Sequence, residues 1–554
     1  MKIKFKIVLL LTVLSGLFNA CETIDLEKRV SPNDLASDQA DPNLLLNSIQ
    51  LAYASNLYTL NDIGSELTRI DYMFGRDYFN NYPGNTLNGV WGRTYSSDFN
   101  LIGDDDVQLG IFSNVENLKS IDEGSDIDYS FHIAIGKTLK AHMLMLLVDY
   151  LGKAAFTEAG DPVTFPSPML DDGEVVYNGA LALLDEAEAL FSGDPSDQGA
   201  EDFFYGGDSS QWIKLINTLR LNAAFTTGDS GTFDAIISEG NFISEIEDDF
   251  QFQYGSRALQ PDTRHPDYAL DYTPSGANIY QSNWLMNYML EQDDPRRRYY
   301  FYRQQSSTPG ADADPNEETL ACSLVTPPQH YLDGDFVYCS VGNGYWGRSH
   351  GNDEGTPPDN FLRTAVGVYP AGGKFDDSDF GTVGLGLGGG GAGIEPIILS
   401  SYVYFWRAEM NGGDSDMMEM GLRQSIEKVQ SFASLDGDAD LSAAPDDEDV
   451  EDWIEGIVSE YDSASGDDKK NILAQQYFVT LYGDGTHAYN YYRKTGFPTT
   501  LLPNWELNPG PFPRTLLYPN DEVTTNQNLS QKSTLTEQVF WDTNPASPAF
   551  PVAN

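Results

Sequence analysis

Between Phe131 and Leu151 the core-type residues recur at three- and four-residue steps. Ile135, Leu139, His142, Leu146 and Tyr150 share one face of a helix. The same period returns along the chain and commits it to a helical fold. A second helix is predicted over Glu174–Phe191. A third covers Ser210–Thr226, with Trp212, Leu215, Leu219 and Leu221 on its core side. Further helices are predicted near Asn43–Leu57, Trp284–Glu291, Pro396–Met410, Asp416–Phe432 and Asp468–Tyr482. Asp416 and Glu419 put negative charge where the Asp416 helix begins, against its unpaired N–H groups. Trp91, Trp212 and Trp284 lie in helical patterns and are expected in the core. No repeat of fixed period is visible, although helix pairs can still stack as a degenerate solenoid.

From Asp293 to Glu395 the periodicity gives way to Pro, Gly, Ser and aromatic residues. A loop region of that length inside a helical protein usually carries function. The acidic stretch Asp436–Asp452 reads as an exposed loop. The expected fold class is mostly α, with a large irregular insertion over about 293–395.

Lys2, Lys4 and Lys6, an apolar run from Ile7 to Phe18, and Ala20 before Cys21 have the three-part layout of a secretory signal peptide. Cleavage after residue 20 would free the Cys21 thiol for acylation, as in bacterial lipoproteins. Residues 21–40 are polar and read as a tether to a folded body over 41–554. That run of twelve residues, interrupted by Thr12, Ser15 and Gly16, is too short to span a bilayer, which takes about 20 apolar residues. No second stretch of spanning length is expected.

The 554 residues carry 32 basic and 84 acidic side chains, a net charge of −52. That field repels nucleic acid and anionic membrane surfaces, so membrane attachment is expected through the lipid alone. A hydrophobic content of 40% is ample for a core and excludes wholesale disorder. With Cys21 lipidated, Cys322 and Cys339 remain, in a Pro/Gly-rich stretch and an oxidising compartment. A disulfide between them would contribute about 3 kcal/mol on the chain-entropy model. Two unpaired thiols are the alternative.

Several motifs fail on context. Gly384-Leu-Gly386-Leu-Gly388-Gly389 fits GxGxxG but follows Asp376, Asp377 and Asp379 and precedes Pro396, where a dinucleotide site needs a strand and a helix. Gly228-Asp229-Ser230-Gly231 follows an amphipathic helix and reads as a helix-ending turn. Asp436, Asp438 and Asp440 begin like a calcium loop, but Leu441 stands at the glycine position, leaving only opportunistic Ca²⁺ binding. The six histidines lack metal-ligand spacing, so no metal site and no other cofactor is expected. Arg296, Arg297, Arg298 and Arg303, interleaved with tyrosines, either hold an anionic ligand group or neutralise neighbouring acids and tie a helix end to the insertion.

Asp149, Gly152, Glu158 and Ala159, with Ala155 in place of a proline, resemble a helix exit of the SusD/RagB family of nutrient-binding outer-membrane lipoproteins of Bacteroidetes. Asp208, Trp212, Lys214 and Asn217-Thr-Leu-Arg220 resemble its next conserved helix. His350-Gly351, Pro357-Pro358-Asp359, Arg363-Thr364 and the run Gly367 to Phe375 resemble its second, SusD-like subgroup. Tyr489-Asn490 and Arg493-Lys494-Thr495-Gly496-Phe497-Pro498 are similar to its WNxxRRTGxP motif, with Lys494 and Phe497 as departures. Pro513-Arg514, Tyr518-Pro519 and Glu522 follow in order.

The resemblance implies one α-rich domain of tetratricopeptide-like helix pairs, with loops forming the ligand face. It implies a non-catalytic surface lipoprotein of the outer membrane. Such a protein captures oligosaccharides for nutrient uptake as the lid of a SusC-type TonB-dependent β-barrel transporter. A peptide-capturing lid is the alternative, and a surface glycoside hydrolase a third reading.

Sugar binding calls for flat aromatic side chains beside Asn, Asp and Arg. Two stretches have that composition, Tyr72–Pro83 and Asn343–Arg348. The candidate ligand contacts are therefore Tyr72, Arg76, Tyr78, Asn81, Tyr345 and Trp346.

Overall fold

The computed structural model describes residues 40–552, apart from 76, 97–98, 102–103, 161–162, 308–325 and 354–361. The signal peptide, Cys21 and its tether, Arg76 and Cys322 lie outside the described residues. Pro42–Asn554 form one unit.

Nine longer helices frame the part of the fold that matters here. They are α1 (Pro42–Thr68), α2 (Ser130–Leu151), α3 (Gly173–Phe191), α4 (Ser209–Thr227), α5 (Ser400–Met410), α6 (Ser415–Ser431), α7 (Asp447–Ser463), α8 (Gly466–Thr480) and α9 (Gly485–Thr495). The chain is mostly α, and its short strands form small separate sheets without closure. Helices next to each other in sequence pack as pairs, most extensively α2 with α3 and α5 with α6, and α7 packs in turn on α6. This is the tetratricopeptide-like arrangement.

Helix α2 corrects one expectation. At 22 residues it is long and apolar enough to cross a membrane, yet 89% of its most apolar window is buried inside the fold. Being surrounded by protein on all sides, it needs no polar stripe. Gly152, with φ of 80°, ends it in the left-handed conformation that glycine adopts without strain.

Helix α1 is the other spine, and α9 lies directly on it. A Cβ on Gly485 would sit 2.0 Å from the Asn61 carbonyl oxygen, so glycine lets the two backbones touch. Asp484 caps α9 by accepting from the His487 N–H.

The helix predicted from Pro396 begins instead at Ser400. Pro396 belongs to a strand, Ile394–Ile398, paired antiparallel with Phe250–Gln253. A register shift between Pro396 and Ile398 accommodates the missing N–H. The acidic stretch 436–452 is only partly loop. The Asp446 carboxylate accepts from the Asp449 N–H and starts α7 at Asp447, where acidic residues favour a helix N-terminus. Gly228 ends α4 with φ of 75° and Asp229 caps the next helix, as the turn reading expects.

Within 293–395 the chain builds short strands and turns. Tyr345–Arg348 pairs with Ser340–Gly342 on one side and, in parallel, with Gln281–Ser282 on the other. Cys339 is disulfide-bonded. The arginine cluster is used internally: Arg296 forks onto Asp294 and bonds Ser425, Thr480 and Gln476, while Arg303 binds Asp376. Trp91, Trp212 and Trp284 are buried.

Candidate ligand-binding cleft

One stripe of α1 lines two neighbouring cavities. Leu51, Ala54, Ser55, Tyr58, Asp62, Ser65 and Glu66 follow the three- and four-residue steps that put side chains on one helical face. The stripe changes character along its length. Its first half is apolar and lines a cavity of about 470 Å³, its second half is acidic and lines one of about 220 Å³, and Tyr58 borders both.

The opposite walls come from far along the chain. Phe203, Phe252 and Tyr254 face the apolar cavity, with Asp262 and Arg264 also lining it. All four aromatic residues, Tyr58 included, keep part of their surface exposed. The acidic cavity is closed by Asp71, Tyr72, Asp267, Tyr280, Glu395 and Tyr482, among others.

Five carboxylates therefore line the smaller cavity: Asp62, Glu66, Asp71, Asp267 and Glu395. Among the described residues no lysine or arginine lines it. Tyr58 donates to Asp267 at 2.9 Å, Tyr82 to Glu66 at 2.8 Å, and Asn61 to Glu395 at 2.7 Å. Asp71 is hydrogen-bonded by Ser65. Asp62 has no hydrogen bond or ion pair among the described residues.

Partial enclosure of the carboxyl by the cavity walls, followed by the neighbouring Asp267 charge, pushes Asp62 up to about 7, although solvent still reaches the side chain. Enclosure by protein likewise raises Glu66, Asp71 and Glu395, each with a further push from other carboxylates. His265 is lowered by burial and stays neutral, so it does not offset this charge. Arg348 and Arg363 lie over the Tyr280 ring, at 4.5 and 3.8 Å from its centre. They brace one wall of the cavity.

The sequence candidates separate. Tyr72 lines the acidic cavity, donates to the Asn352 carbonyl at 2.5 Å and meets Tyr280 edge-on. Asn81 is half-buried, with its side chain filling the space beside Gly75. Tyr78, Tyr345 and Trp346 are only 1%, 2% and 1% exposed. Tyr78 packs on Phe512 and shares its hydroxyl with Arg69 and His350. Tyr345 lies under Arg303, and Trp346 packs with Cys339 and donates to the Ser307 carbonyl. No face of these three rings is open for stacking, since each side chain is at most 2% exposed. Gly-flanked aromatics in a loop-like stretch suggested exposure, whereas strand pairing produced burial.

Residues of the α1 stripe were missed for a definite reason. The predicted first helix stopped at Leu57, so Asp62 and Glu66 fell outside it. The signal was there: Tyr58, Asp62 and Glu66 stand four residues apart.

A helical-pair fold with a lined cleft beside its first helix is a binding architecture. A family model described as starch-binding associating with the outer membrane, SusD-like, matches residues 32–318, and the chain belongs to that family. The fold is similar to a SusD/RagB family protein from Bacteroides thetaiotaomicron VPI-5482, with a TM-score of 0.63 and 15% identity over 92% of this chain and 100% of that one. It is also similar to a chitin-binding SusD homolog from Flavobacterium johnsoniae, with a TM-score of 0.55 and 17% identity over 91% of this chain and 100% of that one. A SusD homolog from Bacteroides uniformis ATCC 8492 follows at a TM-score of 0.57 and 17% identity, over 91% and 100% of the two chains. Among curated protein sequences none matches. The family association places glycan binding and the outer membrane at the level of the class.

Proposed function

We propose that this protein captures oligosaccharides at the cell surface and hands them, uncleaved, to a SusC-type TonB-dependent β-barrel transporter. A lipid on Cys21 and the tether over 21–40 would hold the domain over 41–554 at the outer membrane. The observation that carries this reading is the α1 stripe. It sets half-open aromatic rings, suited to sugar C–H faces, beside a cavity of hydrogen-bond acceptors suited to hydroxyls. Tyr58, Tyr72 and Tyr254 are the proposed contacts, with Arg76, four residues after Tyr72, retained from the sequence candidates. The lid needs only to differ in affinity between its open and closed arrangements.

Calorimetric titration of the lipid-free domain against neutral oligosaccharides tests this. Saturable heat that falls in Tyr58→Ala, with no new reducing ends, supports capture. The gathered carboxylates favour a second reading, since glycoside hydrolysis uses two carboxyl groups about 5–10 Å apart. Release of reducing ends, abolished in Glu66→Gln, would establish hydrolysis instead. Heat with peptides alone would make the ligand a peptide.

A further inference from the structure

The two cavities differ in what they accept, and the difference bears on the class of saccharide. The apolar one offers ring faces. The acidic one offers acceptors and negative charge. Carboxylates held together inside protein repel one another, and this cavity has no lysine or arginine among its described lining residues to relieve them. Four of the five have hydrogen-bond donors from the protein, whereas Asp62 has none among the described residues. Asp62 also sits one helical turn from Tyr58, the residue that borders both cavities. A chain stacked on Tyr58 would therefore meet, with its next substituent, a solvent-facing carboxylate that has no protein donor among the described residues.

We propose that the cleft takes a saccharide carrying a protonated amine, with its rings along Tyr58 and Tyr254 and the ammonium group on Asp62. This rests on the glycan-capture reading and narrows its substrate class. An ammonium group brings three donors and a positive charge to a site that has acceptors and negative charge in excess. A uronate or sulfate ester would add a further anion to the same cavity. A lysine-rich peptide has the same charge but lacks the ring faces that the aromatic half provides for.

The test is a titration of the lipid-free domain with three probes of equal length: a glucosamine oligomer, its fully N-acetylated form and a uronic acid oligomer. The amine oligomer is expected to bind at least tenfold tighter than the acetylated one. The uronic acid oligomer is expected to bind weakest. In Asp62→Asn the amine-to-acetyl ratio should fall towards one, while exposed Asp468→Asn, which removes the same charge elsewhere, should keep it. Equal affinity for the first two probes, or a ratio that survives Asp62→Asn, overturns the proposal and leaves glycan capture standing. A lysine-rich peptide that outcompetes the amine oligomer also overturns it. Failure of all three saccharides to bind overturns the capture reading itself.

Discussion

Asn490 donates its side-chain amide to the Asp149 carboxylate at 2.7 Å, across 341 residues of chain. The same carboxylate accepts from Tyr177 and, at 3.0 Å, from Trp541, while Arg493 donates to the Asp149 carbonyl at 2.7 Å. Two sequence motifs that resemble the family's are thus one buried junction between α2, α3, α9 and the C-terminal segment. Their role is to lock the fold, and the junction leaves ligand contact to other residues.

Replacing Asp149 by Ala should be severe. Three buried donors lose their acceptor, and Arg493 loses the nearby carboxylate charge. Removing one partner of such a network costs about 3–5 kcal/mol. Urea unfolding of Asp149→Ala measures it, and a loss below about 1 kcal/mol would contradict the junction.

Arg296 makes the same kind of prediction on the other side of the fold. Its guanidinium and Asp294 are both fully buried, and Ala at 296 strands a carboxylate. A loss of about 3–5 kcal/mol is expected, with oligosaccharide affinity of the folded fraction unchanged.

Trp346 and Tyr58 should separate stability from binding. Trp346→Ala empties a covered site and should cost about 3–5 kcal/mol of stability. Tyr58→Ala should weaken oligosaccharide binding by about 1–3 kcal/mol and, losing one hydrogen bond to Asp267 at a part-open site, cost less stability than Trp346→Ala. The opposite pattern would return Trp346 to the ligand face.

Asp62 sets a pH dependence. Its carboxyl is raised to about 7 in the folded protein, against an ordinary value of 3.8. Its stabilising contribution is therefore complete below about pH 4 and is lost as pH rises through 7. Asp62→Asn should match the parent at pH 4 and exceed it at pH 8. Because water reaches this side chain, the gain should stay below roughly 1 kcal/mol. Melting curves at the two pH values decide, and an equal gain at both would refute the sign.

Much of the architecture was legible in the residues. Three-and-four periodicity marked α3 and α4, because they bury one continuous stripe, while α2 stood out as a long run apolar on every side. Shorter signals misled where local chemistry had two outcomes. Acidic residues near 447 suit either a solvated loop or a helix N-terminus, and the Asp446 cap chose the helix. Pro396 suits either a first helical turn or a strand irregularity, and pairing with Phe250–Gln253 chose the strand.

By itself the sequence determined the longest periodic helices, the family motifs and their order, since these depend on neighbours a few residues apart. Only the tertiary structure decided which aromatic faces stay open. Tyr345 and Trp346 are covered by segments remote in sequence, whereas Tyr58 faces a gap that Phe203 and Tyr254 border without filling. It also brought Asp267 and Glu395 to α1 from the middle of the chain. Burial and charge crowding are properties of what packs around a side chain, and no local pattern encodes them.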